Sequence, residues 1–303
     1  VFKVGILGYL ISNLVGHFVA IFIMFFFGKI YRDVRFINDT KLIKEMFIYS
    51  APLAINSVAW WINTASDKYI ITFFCGAAIN GIYSVAYKIP TILSTFQTIF
   101  YNAWSVSAIT EFDKDDKDGF IGNIYSLYMC VSTVGCSAIL IFNKVLANML
   151  YAKDFYDAWR CVPFLLLGVA FNGIALFEGC LFTAVKKTKE VSRTTIVGAI
   201  VNTVANFALI PFFSSVGAAF ATMIGYFTVW IVRTVSLQKI IRMHVNWFKQ
   251  VICVVILFVQ VFLALNSNII TMSLQIICLM ILVFLQHISI KKVVCKLLTK
   301  IKR

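Results

Sequence analysis

The chain has 303 residues, of which 61% are hydrophobic and only 13% charged, with a mean hydropathy of +0.89. Soluble domains run near half apolar and a quarter charged, so a water-soluble globular protein is excluded. The formal net charge of +14 does not point to nucleic acid. The basic residues gather in alternate loops, and neither an aromatic-interleaved basic face nor a nucleic-acid module is present.

Nine apolar segments are long enough to cross a bilayer: about 4–27, 47–74, 81–109, 121–143, 162–184, 194–213, 216–236, 249–266 and 269–287. The expected fold is therefore an all-α membrane protein of about nine transmembrane helices. The chain starts at Val1 and enters an apolar segment almost at once, so an N-terminal part is expected to be missing. In the first segment Asn13 and His17 share a helix face. The second carries Pro52, Asn56, Trp60, Asn63 and Asp67, which step by four, four, three and four onto one face. The third carries Ser84, Lys88, Thr91, Thr95, Thr98, Asn102 and Ser105 on the same rule. A polar stripe in lipid must turn toward partners or a wet cavity, so both seams are read as the wall of a polar cavity.

Further on, Gly168, Asn172, Ala175 and Gly179 form a stripe of small and polar residues, as do Thr195, Gly198, Asn202 and Asn206. Gly217, Ala221 and Gly225, followed by Thr228, form a face that lets another helix approach closely. The last two segments lack such a stripe, with Gln260 and Gln275 as isolated candidates, and are expected to be peripheral and lipid-facing. The mixed-charge stretch Glu111–Gly119 reads as a solvated loop. Asn143–Arg160 reads as an interfacial helix with Tyr151, Tyr156 and Trp159 as belt aromatics. The eight cysteines show no C-x-x-C spacing, which supports neither a disulfide framework nor a metal site.

Lysine and arginine concentrate in the 28–46 loop, the 111–120 loop, the 185–193 loop, the joint from Arg233 to Lys249 and the C-terminal tail. The opposite loops hold only Lys144, Lys153 and Arg160. The positive-inside rule then makes the tail and the 28–46 loop cytoplasmic, and turns the 75–80 connection outward.

Four motifs resemble a known family. Ser66-Asp67-Lys68-Tyr69-Ile70-Ile71 and Gly81-Ile82-Tyr83-Ser84-Val85-Ala86-Tyr87-Lys88-Ile89 resemble the seventh and eighth helices of bacterial polysaccharide flippases. Asn202-Thr203-Val204-Ala205-Asn206-Phe207-Ala208-Leu209-Ile210-Pro211 and Val216-Gly217-Ala218-Ala219-Phe220-Ala221-Thr222 resemble their eleventh and twelfth. These proteins form part of the multidrug/oligosaccharidyl-lipid/polysaccharide exporter superfamily. The family usually has Asp-Arg where this chain has Asp67-Lys68, so a cation is kept but bidentate phosphate recognition is lost. The resemblance implies two six-helix lobes around a central cavity, working by alternating access. Residues 1–44 would then be the last helix of the N-terminal lobe and its cytoplasmic linker. Residues 45–240 would be the complete C-terminal lobe, and 241–303 two accessory helices and a basic tail.

Candidate residues follow from both lines. The substrate-facing set is Asn56, Asn63, Asp67, Ser84, Lys88, Thr91, Thr95, Asn102, Asn172 and Asn202. Lys88 suits a diphosphate and its hydroxyl neighbours suit sugars; its plainer reading is a lysine reaching the headgroups. Asp67, Glu178 and His17 are ion-coupling candidates, since charge in a span is costly. Their plainer readings are a structural ion pair, a protonated packing residue and a satisfied packing histidine. The expected activity is flipping of a polyprenyl-diphosphate-linked oligosaccharide across the bacterial cytoplasmic membrane for O-antigen or capsule assembly. The implied partners are that lipid, the bilayer, a proton or sodium gradient and other polysaccharide-assembly membrane proteins. No cofactor, catalytic group or nucleic acid is expected. Alternatives are a multidrug exporter of the same superfamily and a membrane-embedded glycan polymerase or glycosyltransferase using Asp154, Asp157 and Arg160 in the 144–160 loop.

Overall fold

A computed structural model describes residues 5–32, 39–110, 112, 113, 115–117, 119–266 and 268–301, with the backbone alone for 5–7, 9, 10, 153 and 288–301. Lys3, Arg35, Glu111, Lys114, Asp118, Lys302 and Arg303 lie outside the described residues, as do the side chains of Lys153 and the tail lysines. The chain divides into two units, Val1–Phe47 and Ile48–Arg303. The first holds α1 (Gly5–Phe27), a short 3-10 turn at Ile30–Arg32 and the start of α2 (Thr40–Cys75). Rings of Phe22, Phe25, Phe26 and Tyr31 contact one another along its apolar end.

The second unit continues α2 and adds α3 (Ala77–Ala86), α4 (Pro90–Thr110), α5 (Phe120–Ile141), α6 (Asn143–Leu150) and a 3-10 stretch at Lys153–Arg160. It is completed by α7 (Val162–Ala184), α8 (Thr188–Gln238), α9 (Trp247–Ala264) and α10 (Ile269–Ile301). Among the described residues, the expected segments fall mostly on helices. Among the described helices, five are long and apolar enough to cross a membrane, and the protein is an all-α, multi-pass membrane protein.

The centre is α7, which packs against α4, α5, α8 and α9. Apolar side chains lie on every face of it, and a helix of that kind must be enclosed. The indole of Trp104 stacks on Phe177 at 4.3 Å and donates to the Phe177 carbonyl at 3.2 Å. On the other side Phe171 stacks on Trp230 at 5.2 Å.

The 51-residue α8 is two spans, not one rod. Its backbone leaves helical geometry at Ser214 (φ 54, ψ −134), and the arms 188–213 and 215–238 run back along each other. A Cβ on Gly225 would stand 2.7 Å from the Asn202 Cβ, one on Gly217 would stand 2.5 Å from the Leu209 carbonyl, and one on Gly198 would strike Val229. Small residues thus bring the arms together as the Gly217–Ala221–Gly225 spacing anticipates.

Several expectations are corrected. The third segment is broken between α3 and α4, because Pro90 has no N–H to give the Ala86 carbonyl and its ring clashes there. The freed carbonyl accepts from the Tyr151 hydroxyl at 3.2 Å. Tyr151 is therefore a buried cap on the break, not a belt aromatic. Asp116, in the loop read as solvated, is buried: Oδ1 accepts from Ile121 N and Oδ2 from Gly122 N, both at 2.9 Å, and His244 N adds a contact at 3.3 Å. It caps α5 and ties that end to the α8–α9 joint. Beside it, the N–H groups of Lys117 and Asp115 hold the Asp113 carboxyl below its ordinary range. Gln260 is not isolated, since its Nε2 donates to the Gln275 backbone carbonyl at 3.0 Å across α9 and α10. These helices face outward on one side only, and their other sides pack on α5.

Arg233 carries the largest correction. Read as a loop cation, it lies inside α8 with 1% of its surface exposed. Its guanidinium donates to Thr194 Oγ1 at 3.0 Å, the Ala175 carbonyl at 2.6 Å, the Val191 carbonyl at 3.1 Å and Thr195 Oγ1 at 2.8 Å. It pins α7 to both arms of α8.

Arg233→Met leaves those acceptors unmatched and Glu178 without a nearby cation, so it should cost about 3–5 kcal/mol, read as a lowered unfolding midpoint in detergent. Gly225→Ala should cost about 1–3 kcal/mol by overpacking. Gly135→Ala, whose Cβ would meet only Leu93 at 3.5 Å, serves as a control and should leave the midpoint unchanged.

Candidate functional site

The two polar seams part company in the structure. Ser84 on α3, Lys88 in the break and Thr91, Thr95 and Asn102 on α4 are all exposed. Two of the hydroxyls are tied to their own stretch of chain: Thr91 donates to the Lys88 carbonyl at 2.6 Å and Thr95 to the Thr91 carbonyl at 2.7 Å. The seam is a line of exposed hydroxyl and amide groups with one cation, Lys88, among them.

The seam of α2 faces inward instead. Asn56 is half-buried and accepts from Thr195 Oγ1 at 2.6 Å; the Pro52 carbonyl accepts from Ser192. Asn63 and Asp67 are buried, at 3% and 1% exposure. The reading of both seams as one continuous wall is therefore corrected. Trp60 packs on Tyr226, with ring centroids 5.4 Å apart, whereas Trp61 is exposed.

Asp67 is the hub of a hydrogen-bonded cluster. Asn206 Nδ2 donates to Oδ1 at 2.6 Å, while the Tyr83 and Thr222 hydroxyls each donate to Oδ2 at 2.8 Å. Asn206 also donates to Asn202 Oδ1 at 3.0 Å, and Tyr83 lies 3.2 Å from the Tyr87 hydroxyl. Among the described residues no cation lies within ion-pair distance of Asp67, and its neighbour Lys68 is exposed. Three uncharged donors from α3 and both arms of α8 hold the carboxyl, so the cluster joins three elements at one point.

Glu178 stands at a second centre, fully buried on α7. Oε1 accepts from the Thr234 hydroxyl at 2.6 Å and from the Tyr125 hydroxyl at 3.3 Å, while Oε2 has no partner. Asn172 is half-buried with an unpartnered Oδ1. His17 is exposed on α1, in the other unit. Sequence reasoning missed Tyr83, Asn206 and Thr222 as partners of Asp67, although each lies in one of the four family-like motifs. It missed Arg233 because a charge at the edge of an apolar window reads as the end of a span.

The polysaccharide biosynthesis protein family model matches residues 1–104. The probable low-salt glycan biosynthesis flippase Agl15 of Haloferax volcanii is 22% identical over 193 residues, covering 61% of this chain and 40% of that protein. The capsular polysaccharide biosynthesis protein CapF of Staphylococcus aureus is 24% identical over 220 residues, covering 69% and 54%. The fold is similar to that of a solved structure of the lipid II flippase MurJ, inward closed conformation, with a TM-score of 0.63 at 16% identity over 96% of this chain and 64% of that one. The chain thus spans about half the length of the relatives it matches. In motifs, in sequence relatives and in fold, it is similar to the polysaccharide and lipid-linked oligosaccharide flippases of the multidrug/oligosaccharidyl-lipid/polysaccharide exporter superfamily.

Proposed function

We propose that this chain is part of a transporter that moves a polyprenyl-diphosphate-linked oligosaccharide across the cytoplasmic membrane by alternating access, for O-antigen or capsule assembly. The observation that carries this reading is the exposed seam of α3 and α4. The stripes that the spacing singles out on α2, α7 and α8 are buried or half-buried, whereas this one offers hydroxyl and amide groups and a lysine to whatever lies outside. Such a line in a bilayer serves a hydrated cavity rather than acyl chains. Lys88, as a compact cation, would meet the diphosphate, and Ser84, Thr91, Thr95 and Asn102 would meet sugar hydroxyls. The domain reading fits this use: 1–44 ends the N-terminal lobe, 45–240 forms the C-terminal one and 241–303 adds two accessory helices. The basic loops set the tail and the 28–46 loop on the cytoplasmic side.

The buried groups take other roles. Asp67, satisfied by three donors, anchors α2 to α3 and α8. Glu178, with one oxygen unpartnered inside the lobe, is the better site for a coupling proton or cation. Asn56, Asn63, Asn172 and Asn202 support these two centres rather than touch the glycan.

In proteoliposomes carrying labelled lipid-linked glycan, Lys88→Glu should slow appearance of label on the far side about tenfold or more. Its unfolding midpoint should stay unchanged, since Lys88 is exposed. Undiminished flipping sinks the reading, and export of a cationic drug that survives the swap favours the multidrug alternative. Glu178→Gln should remove the dependence of the rate on an imposed proton or sodium gradient. Asp67→Asn, which sets a donor against donors, should instead lower stability by about 1–3 kcal/mol.

A further inference from the structure

The α8 hairpin returns its far end to the α7–α8 turn, and a basic pocket forms there. Lys186, Lys187, Lys189, Arg193 and Lys239 line a cavity of about 510 Å³. One water occupies roughly 30 Å³ in the liquid, so there is room for a far larger group. Four of these cations come from one turn of chain, and the fold brings the fifth back to them from 46 residues away. Like charges gathered in a pocket repel unless an anion shares it. The single carboxylate in the lining, Glu190, stands 3.9 Å from Arg193 in a largely exposed pair of little strength.

Two neighbouring features say what sort of anion fits. Lys187 is the N-cap residue of α8, so the positive end of that helix starts at the pocket. Ile231 and Val235 precede Lys239 by eight and four residues, and both are exposed. They therefore form an apolar strip on the helix face that ends in a pocket lysine. A basic pocket at the end of an apolar strip matches a phosphate headgroup with acyl chains above it.

We propose that this pocket binds the phosphate group of an anionic phospholipid, whose acyl chain lies along Ile231 and Val235. The site is separate from the α3–α4 seam and does not depend on what the protein transports.

The test is native mass spectrometry of the purified full-length protein titrated with phosphatidylglycerol, phosphatidylcholine and inorganic pyrophosphate. Wild type should retain phosphatidylglycerol in preference to phosphatidylcholine. Combined Lys187→Gln, Lys189→Gln and Lys239→Gln should weaken that retention about tenfold, whereas Lys41→Gln, Lys44→Gln and Lys117→Gln, removing equal charge elsewhere, should weaken it less than about twofold. Arginine at the three pocket positions should preserve binding. Should the triple glutamine variant fail to fold, Lys239→Gln alone should still weaken retention about threefold. Pyrophosphate that binds in the same lysine-dependent way while phosphatidylglycerol does not makes soluble phosphate the source, and overturns the lipid assignment. Equal weakening by both triple variants, or no preference in wild type, overturns the site altogether.

Discussion

A carboxyl group inside a membrane protein must find donors within the fold, and Asp67 finds three of them on three different stretches of chain. Tyr83 comes from α3, Asn206 from the first arm of α8 and Thr222 from the second. None of these can approach until α2, α3 and the hairpin are already in register. The same rule shapes the rest of the second unit. Arg233 spreads its donors over α7 and α8, Tyr151 answers the carbonyl that Pro90 abandons, and Asp116 takes the N–H groups at the start of α5. Apolar packing fills this protein, but in lipid it cannot choose a partner, because the surroundings are equally apolar. Paired polar groups make the choice.

The four motifs that carry the family resemblance gain a physical meaning from this. They contribute, in order, Asp67, Tyr83, Asn206 and Thr222, which meet in one cluster. Segments scattered over some 155 residues thus meet at one junction. The exposed seam on α3 and α4 stands outside that junction. The fold therefore separates what holds the second unit together from what it offers outward, and puts Lys88 at the break between α3 and α4.

Much of this was legible in the sequence. Hydropathy located each helical segment, and the Gly217–Ala221–Gly225 spacing marked the face on which the α8 arms meet. What failed did so where a linear pattern has two spatial solutions. Four-and-three spacing gives α2 and α4 equally good polar stripes, and nothing local says that one turns inward and the other outward. Pro90 was visible, yet the stripe continues across it in phase, so the break was hidden by the periodicity that defined the span. Arg233 was assigned to a loop because cost per residue is judged one residue at a time. Four acceptors drawn from α7 and α8 cannot be counted from a window.

The reversal at Ser214 has an evolutionary consequence. A single residue with φ 54 and ψ −134 separates the two arms, so there is almost no slack between them. One residue inserted there would rotate the second arm by about 100° and shift it about 1.5 Å. That turns Thr222 away from Asp67, Gly225 from Asn202 and Arg233 from Thr194 in a single step. Side chains along the hairpin can drift one at a time, each at a bounded cost, but its length cannot. Diversity in this part of the protein should therefore accumulate as substitutions, with insertions and deletions confined to the loops beyond its ends.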